Sequence, residues 1–172
     1  MRRSVSSTTK FLLCAILCCS FFSLSCSNSV AESARTNAAQ GKRAPDFTLK
    51  DLNGNSVSLM DFYGKKSVLL VCTTTWCPHC VTIIPDLKYI YNRYSNKGLE
   101  VIAMYINEPE NKVRKFSQKY TIPYTILLDS DGEAATAYKI RGVPTLMLID
   151  KDGIIKYRGY NVTMDMIDKI TQ

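Results

Sequence analysis

The 172-residue chain has a single histidine and a single tryptophan, and both fall within one short stretch, Thr73-Thr-Thr-Trp-Cys-Pro-His-Cys80. One histidine excludes a His-rich metal cluster, because a closed zinc site takes about four ligands. It also argues against copper carriers that rely on a distant second histidine. The chain lacks a basic cluster too. Its net charge is +7, but Arg2, Arg3 and Lys10 supply +3 and no acid precedes Cys26, so residues 26–172 carry +4, spread along the chain. A nucleic-acid footprint needs a concentrated basic face, so nucleic acid is not an expected partner. There are no internal repeats. The longest apolar run, Phe11–Leu24, falls short of the roughly 17–25 residues of a comfortable membrane span.

What that run does offer is a basic start followed by an apolar stretch, the pattern of a secretory signal. It ends in Ser23-Leu-Ser-Cys26, small residues before a cysteine, similar to a bacterial lipoprotein cleavage site with Cys26 as the lipidated residue. A cleaved signal, a lipidated Cys26 and an uncleaved anchor all place the remainder of the chain outside the cytoplasm. Residues 1–26 are therefore assigned to a signal or anchor. Residues 27–43, small, polar and aperiodic, read as a flexible linker. A single domain is expected over 44–172.

Cysteine counting separates the rest. Of seven cysteines, Cys14, Cys18 and Cys19 lie in the leader and Cys26 is its candidate lipid site, which leaves Cys72, Cys77 and Cys80. An odd number in an exported domain is not a purely structural disulfide framework. A structural disulfide stabilises by closing a loop, more so when the loop is long, and two intervening residues close almost nothing. A c-type haem site needs histidine directly after the second cysteine, where Val81 stands. A redox couple, Cys77 with Cys80, is the reading these comparisons favour, with no further cofactor and no metal. Cys72, in an apolar run, reads as a buried hydrophobe.

The periodicity around this pair predicts an α/β domain. Phe47–Leu59 alternates apolar and polar residues about Asn53-Gly54, as a hairpin does. Ser67–Cys72, Leu99–Ile106 and Tyr124–Asp129 are apolar strands, the first two continuous enough for burial on both faces. Val81–Tyr94, Glu108–Tyr120, Gly132–Ile140 and Thr163–Ile170 have helical spacing, the last with Thr163 as N-cap. Thr145–Asp150 and Ile154–Tyr160 form a closing hairpin. Alternating strands and helices imply a mostly parallel sheet covered on both faces, with the late hairpin antiparallel at one side.

Cys77 falls where a buried strand gives way to a helix. A helix start offers unpaired N–H groups and about half a positive charge, which favour a nucleophilic thiolate. Pro78 costs no hydrogen bond in a first turn, and His79 is expected to add a donor near the same sulfur. Cys80, one turn on and more buried, could resolve a mixed disulfide on Cys77. Val143-Pro144 reads equally as a plain strand start or as a cis bend that would bring the Val143 backbone toward the cysteines.

Trp76-Cys77-Pro78-His79-Cys80 after a buried strand, Pro85 beyond it, and Gly142-Val143-Pro144-Thr145 before the last hairpin resemble the thioredoxin superfamily. The opening Ala44-Pro45-Asp46-Phe47-Thr48-Leu49 and the extra helix and strand over Glu108–Asp129 are similar to the extracytoplasmic, membrane-tethered TlpA/ResA-type thiol-disulfide oxidoreductases. The resemblance implies a thioredoxin-like fold: a central mixed sheet flanked by helices, an N-terminal β-hairpin and a central helix-strand insertion. It implies that Cys77 attacks, Cys80 resolves, Trp76 flanks an exposed sulfur, and Val143, beside a cis Pro144, pairs with substrate backbone. Protein thiols or disulfides would be the substrates and a membrane protein the electron partner, with cytochrome c maturation as one setting.

The chain departs from that pattern twice. The superfamily's buried acid before the first cysteine is here Val71, and the branch's glutamate after the second is here Ile83. Glu100 and Glu108 are the nearest acids, and both read as surface charges. The Pro78-His79 dipeptide resembles strongly oxidising DsbA-type enzymes, so an oxidant stands beside the reductant. Two other classes remain. In a peroxiredoxin, Thr74 fits the spacing but Leu70 replaces the needed proline. A copper-binding or redox-sensing module on the same fold would use the two thiolates alone.

Overall fold

The computed structural model describes residues 40–172, which form one seven-stranded mixed sheet with helices on both faces. The predicted leader, the lipid site at Cys26 and the linker up to residue 39 lie outside the described residues. Among the described residues, no helix is long and apolar enough to cross a membrane.

The sheet is built outward from β3 (Ser67–Thr73), whose seven residues are all buried. β4 (Leu99–Ile106) runs parallel to it from Ser67↔Leu99 to Thr73↔Tyr105, and β5 (Thr125–Asp129) continues the parallel set beyond β4. On the other side of β3 lies β6 (Thr145–Ile149), antiparallel, followed by β7 (Ile155–Gly159). The hairpin of β1 (Thr48–Asp51) and β2 (Ser56–Ser58) adds to β5, again antiparallel, to give the order β2-β1-β5-β4-β3-β6-β7. Only β3-β4-β5 is parallel, so the mostly parallel sheet expected from the strand-helix alternation is corrected. Local period fixes that a segment is a strand, not the direction of its neighbour.

Alternate side chains of the central strands feed two cores. Leu69, Val71, Val101, Ala103 and Leu148 meet Leu87, Ile90 and Tyr94 of α2 (Ile84–Tyr94), Val113 of α3 (Glu110–Tyr120) and Ile167 of α5 (Met164–Thr171). Val68, Leu70, Cys72, Ile102 and Met104 face the other way, toward Leu59, Ala134 of α4 (Glu133–Ala137) and Tyr138. The period-2 alternation of a strand sorts its side chains in this way. Thr163 caps α5, its hydroxyl accepting from the Met166 N–H.

Two of the boundaries that differ from expectation have a clear physical cause. The helix predicted over Val81–Tyr94 is two helices, α1 (Pro78–Thr82) and α2, meeting at Ile83. Pro85 is the cause: it has no N–H to return to Val81, and its ring opposes the carbonyl four residues back. The ladder resumes with the Leu87 N–H donating to the Ile83 carbonyl. At the start, residues 41–44 pair with 153–155, the Gly41 and Ala44 N–H groups bonding to Ile155 and Gly153. The last residues assigned to the linker therefore edge the sheet.

Candidate active site

β3 ends at Thr73, and the chain crosses Thr74–Trp76 to reach Cys77, the N-cap of α1. Cys77 is extended (φ −82°, ψ 114°), and its Sγ accepts a hydrogen bond from the Cys80 N–H at 3.2 Å. A sulfur thus takes the capping place usually held by a serine or aspartate oxygen. Pro78 at the first helical position sacrifices no bond, as its missing donor would be unpaired there anyway.

β6 begins at Thr145, paired with Cys72 of β3, so the residues before it lie at the same sheet edge. The Val143-Pro144 peptide is cis. Of the two readings of Gly142–Thr145, the bend is the one found. The Cys77 thiol donates to the Val143 carbonyl at 3.6 Å. The Thr145 hydroxyl ties the turn by donating to Gly142 O at 2.7 Å.

All three cysteines of the described residues are free thiols. Cys77 is 6% and Cys80 4% exposed, which corrects the expectation of an open Cys77 sulfur: the Val143 turn closes over it. Trp76 is exposed at 66%, an apolar side chain left to water beside the cysteines. His79 is exposed, and its ring lies 3.5 Å from the Thr82 hydroxyl. The expected donor from His79 to Cys77 is not among the contacts of that sulfur, which are the Cys80 N–H and the Val143 carbonyl.

Burial first, and then the hydrogen bond with Cys77, push the Cys80 thiol up to about 11, against the lowering influence of the Thr73 side chain and the Thr74 backbone. Behind Cys80 lies a cavity of about 10 Å³, lined by Val71, Thr73, Ile83, Tyr105 and Tyr124 among others. That is about the smallest space that holds a water. Burial also raises the Tyr105 phenol and the Cys72 thiol well above their usual ranges. A larger hollow of about 530 Å³, bordered by Asp150, Lys156, Tyr157 and Met166, shares no residue with the cysteine site. Among the described residues no three His, Cys, Asp or Glu side chains gather as a metal site would require.

Sequence reasoning missed Glu108. Read as a surface charge, it is 3% exposed. Its carboxylate accepts from the Thr75 N–H and the Thr75 hydroxyl, both at 2.6 Å, and from Lys112 Nζ at 2.7 Å. A buried carboxylate needs such pairing to offset its lost hydration. Glu100, also read as a surface charge, is mostly covered and bonded to Lys66 and Thr125. The signal for Glu108 was available in the topology. β4 is the parallel neighbour of β3, so the loops leaving both strands open at one sheet edge. Asn107, at φ 52°, turns the chain there.

The sequence profile of the AhpC/TSA family matches residues 40–158. The thiol-disulfide oxidoreductase ResA of Geobacillus kaustophilus (strain HTA426) is 36% identical over 122 residues, 71% of this chain and 70% of that protein. The protein of the same name from Halalkalibacterium halodurans is 34% identical over 139 residues, 80% of this chain and 78% of its own. Among solved structures, the thioredoxin domain of a thiol-disulfide oxidoreductase from Bacteroides vulgatus superposes with a TM-score of 0.72 at 28% identity, covering 78% of this chain and 99% of that one.

Proposed function

The chain belongs to the AhpC/TSA family and is a thiol-disulfide oxidoreductase of thioredoxin-like fold, and from that premise we propose that it reduces disulfides of exported proteins through Cys77 and Cys80. The observation that carries this reading is the setting of one sulfur. Cys77 Sγ caps α1 while touching the backbone carbonyl of Val143, so the attacking atom and a strand-like backbone edge stand side by side.

In this reading the Cys77 thiolate attacks a substrate disulfide, whose backbone pairs with Val143 beside Pro144 while Trp76 covers its apolar flank. Cys80 then displaces the substrate from the mixed disulfide. The enzyme is left with the Cys77–Cys80 disulfide and needs no other cofactor for the exchange. A membrane electron donor restores the dithiol. The leader and Cys26 hold the domain at the outer face of the membrane, and apocytochrome c thiols are one class of product.

The oxidant reading rests on Pro78-His79 and on the acids missing at Val71 and Ile83. An added interaction with the Cys77 thiolate stabilises the reduced enzyme, and for two electrons about 1.4 kcal/mol moves the potential by about 30 mV. The His79 ring turns instead to Thr82 and gives the sulfur no such bond, which supports the reductant. Equilibrating the full chain in a glutathione series gives the potential of the couple. A value near the roughly −270 mV of thioredoxin is expected, and one near the roughly −120 mV of DsbA overturns the assignment.

A further inference from the structure

Two acids that resemblance would place around the cysteines are missing, and the structure puts a third at the same edge. Glu108 follows β4, 33 residues away in sequence from its partner Thr75, and both its oxygens are occupied there. It does not cap the helix that follows: the N-cap of α3 is Pro109, with no side-chain capping bond. Lys112, one turn along and half exposed, offsets its charge.

Thr75 is the end of a short lever. Thr73, two residues before it, lines the small cavity behind Cys80 together with Cys80 itself, and the Thr73 side chain and Thr74 backbone act to lower the Cys80 thiol. Cys77 comes two residues after. Holding the N–H and hydroxyl of Thr75 together fixes both position and rotation of this segment. The Thr74 hydroxyl, buried without a hydrogen-bond partner, fits a segment held in place by its neighbour rather than by its own contacts.

We infer that Glu108 is the positioning acid of this active site, holding the Thr73–Thr75 segment so that its donors meet the Cys80 sulfur when that sulfur carries charge. The inference rests on the assignment of Cys77 as attacking and Cys80 as resolving cysteine. Its place in the reaction is the second half. After Cys77 has bonded to one substrate sulfur and released the other as a thiolate, Cys80 loses its proton to solvent base. It attacks Cys77 Sγ, the Cys77–Cys80 bond forms, and the Cys77–substrate bond breaks. The second substrate thiolate leaves and takes a proton from solvent. Two electrons have then passed from the dithiol to the substrate. Run backward, Cys80 is the leaving thiolate, so the same donors act whichever way electrons flow.

The test separates the two halves in the full chain. Cys77 is first loaded with 5-thio-2-nitrobenzoate by reaction with its symmetrical disulfide, and release of the coloured thiol by Cys80 is then monitored. Glu108→Ala is expected to slow release about tenfold, the worth of roughly one hydrogen bond to a charged group, and to leave the loading rate within about twofold. Glu108→Gln, which keeps the volume and one acceptor oxygen, is expected to recover part of the loss and serves if the alanine variant does not fold. A tie that merely stabilises the fold would lower Tm and slow both halves alike. Equal slowing, or unchanged release in both variants, overturns the inference. Cys77→Ser checks the underlying assignment: turnover that survives in it overturns that assignment, whereas an inert Cys77→Ser beside native release in the Glu108 variants overturns the inference alone.

Discussion

Raising pH should accelerate the resolving step steeply and without an early plateau. Cys80 is 4% exposed, and burial is the largest of the causes that carry its thiol to about 11 from an ordinary value of 9.0. At pH 7 the thiolate fraction is then about 10⁻⁴ rather than about 10⁻², a hundredfold deficit. A more basic thiolate is also a better nucleophile. With a Brønsted coefficient of about 0.45, a two-unit rise returns roughly eightfold, leaving a net deficit of about tenfold. Attack from one helical turn away makes this tolerable, because well-oriented intramolecular reactions have effective molarities of about 10⁵ M or more. In the mixed disulfide Cys77 no longer carries a thiol, so its contribution to the shift disappears while the burial stays. The thiolate fraction, and with it the rate, should climb about tenfold per unit from pH 7 to pH 9. The assay is release of 5-thio-2-nitrobenzoate from the loaded enzyme across a buffer series, with Cys80→Ser as the control that retains the label. A rate that levels off at or below about pH 8.5 refutes the raised value and the burial argument behind it.

The same shift reaches stability. The folded state holds the Cys80 proton more tightly than the unfolded chain, and the Cys72 thiol is shifted the same way. The contribution is therefore complete below about pH 9 and is lost as pH rises toward 11, at up to about 1.4 kcal/mol per unit per group; Tm of the reduced protein should fall more steeply above pH 9 than that of Cys80→Ala, and parallel curves contradict it. Leu69, fully buried between β4 and β6, should cost about 2–5 kcal/mol on truncation to alanine, read from urea midpoints, and a loss under about 1 kcal/mol would contradict its central place.

Much of the fold was visible because burial on both faces leaves a continuous apolar run. β4 occupies Leu99–Ile106 as the run implies, and β3 extends its own run by one residue, Thr73. The Thr163 cap was equally plain, since a hydroxyl before an amphipathic segment has one local use. The break at Ile83 was hidden although Pro85 was in view. Cys80, Ile84, Leu87 and Ile90 keep helical spacing across it and stay buried. The antiparallel β6-β7 side was legible from the closing hairpin; what was hidden is that β1 joins β5 antiparallel, because an alternating strand looks the same whichever way its neighbour runs. Glu108 and Cys77 share a different cause. A charged residue before a proline looks exposed, and a cysteine at a helix start looks open. Each is covered only by a loop that arrives from far along the chain, Thr75 for the one and Val143 for the other.

That shared cause bears on how the dipeptide between the cysteines should be weighed. Pro78 and His79 are both exposed, and the His79 ring engages Thr82. Thr73, at the end of β3, lines the space at Cys80, and the groups that touch the Cys77 sulfur are the Cys80 N–H and the Val143 carbonyl. Backbone groups of this kind are unchanged by most substitutions, so the identity of the intervening pair acts on the couple mainly through what its side chains add. Here the proline adds an N-terminal helical φ and the histidine adds a solvent-facing ring. The control of the second thiol runs instead through Glu108 and Thr75, on two parallel strands whose loops meet. A change of redox behaviour in this chain should therefore arise more readily from the loop after β4 than from exchanging the two residues inside the motif.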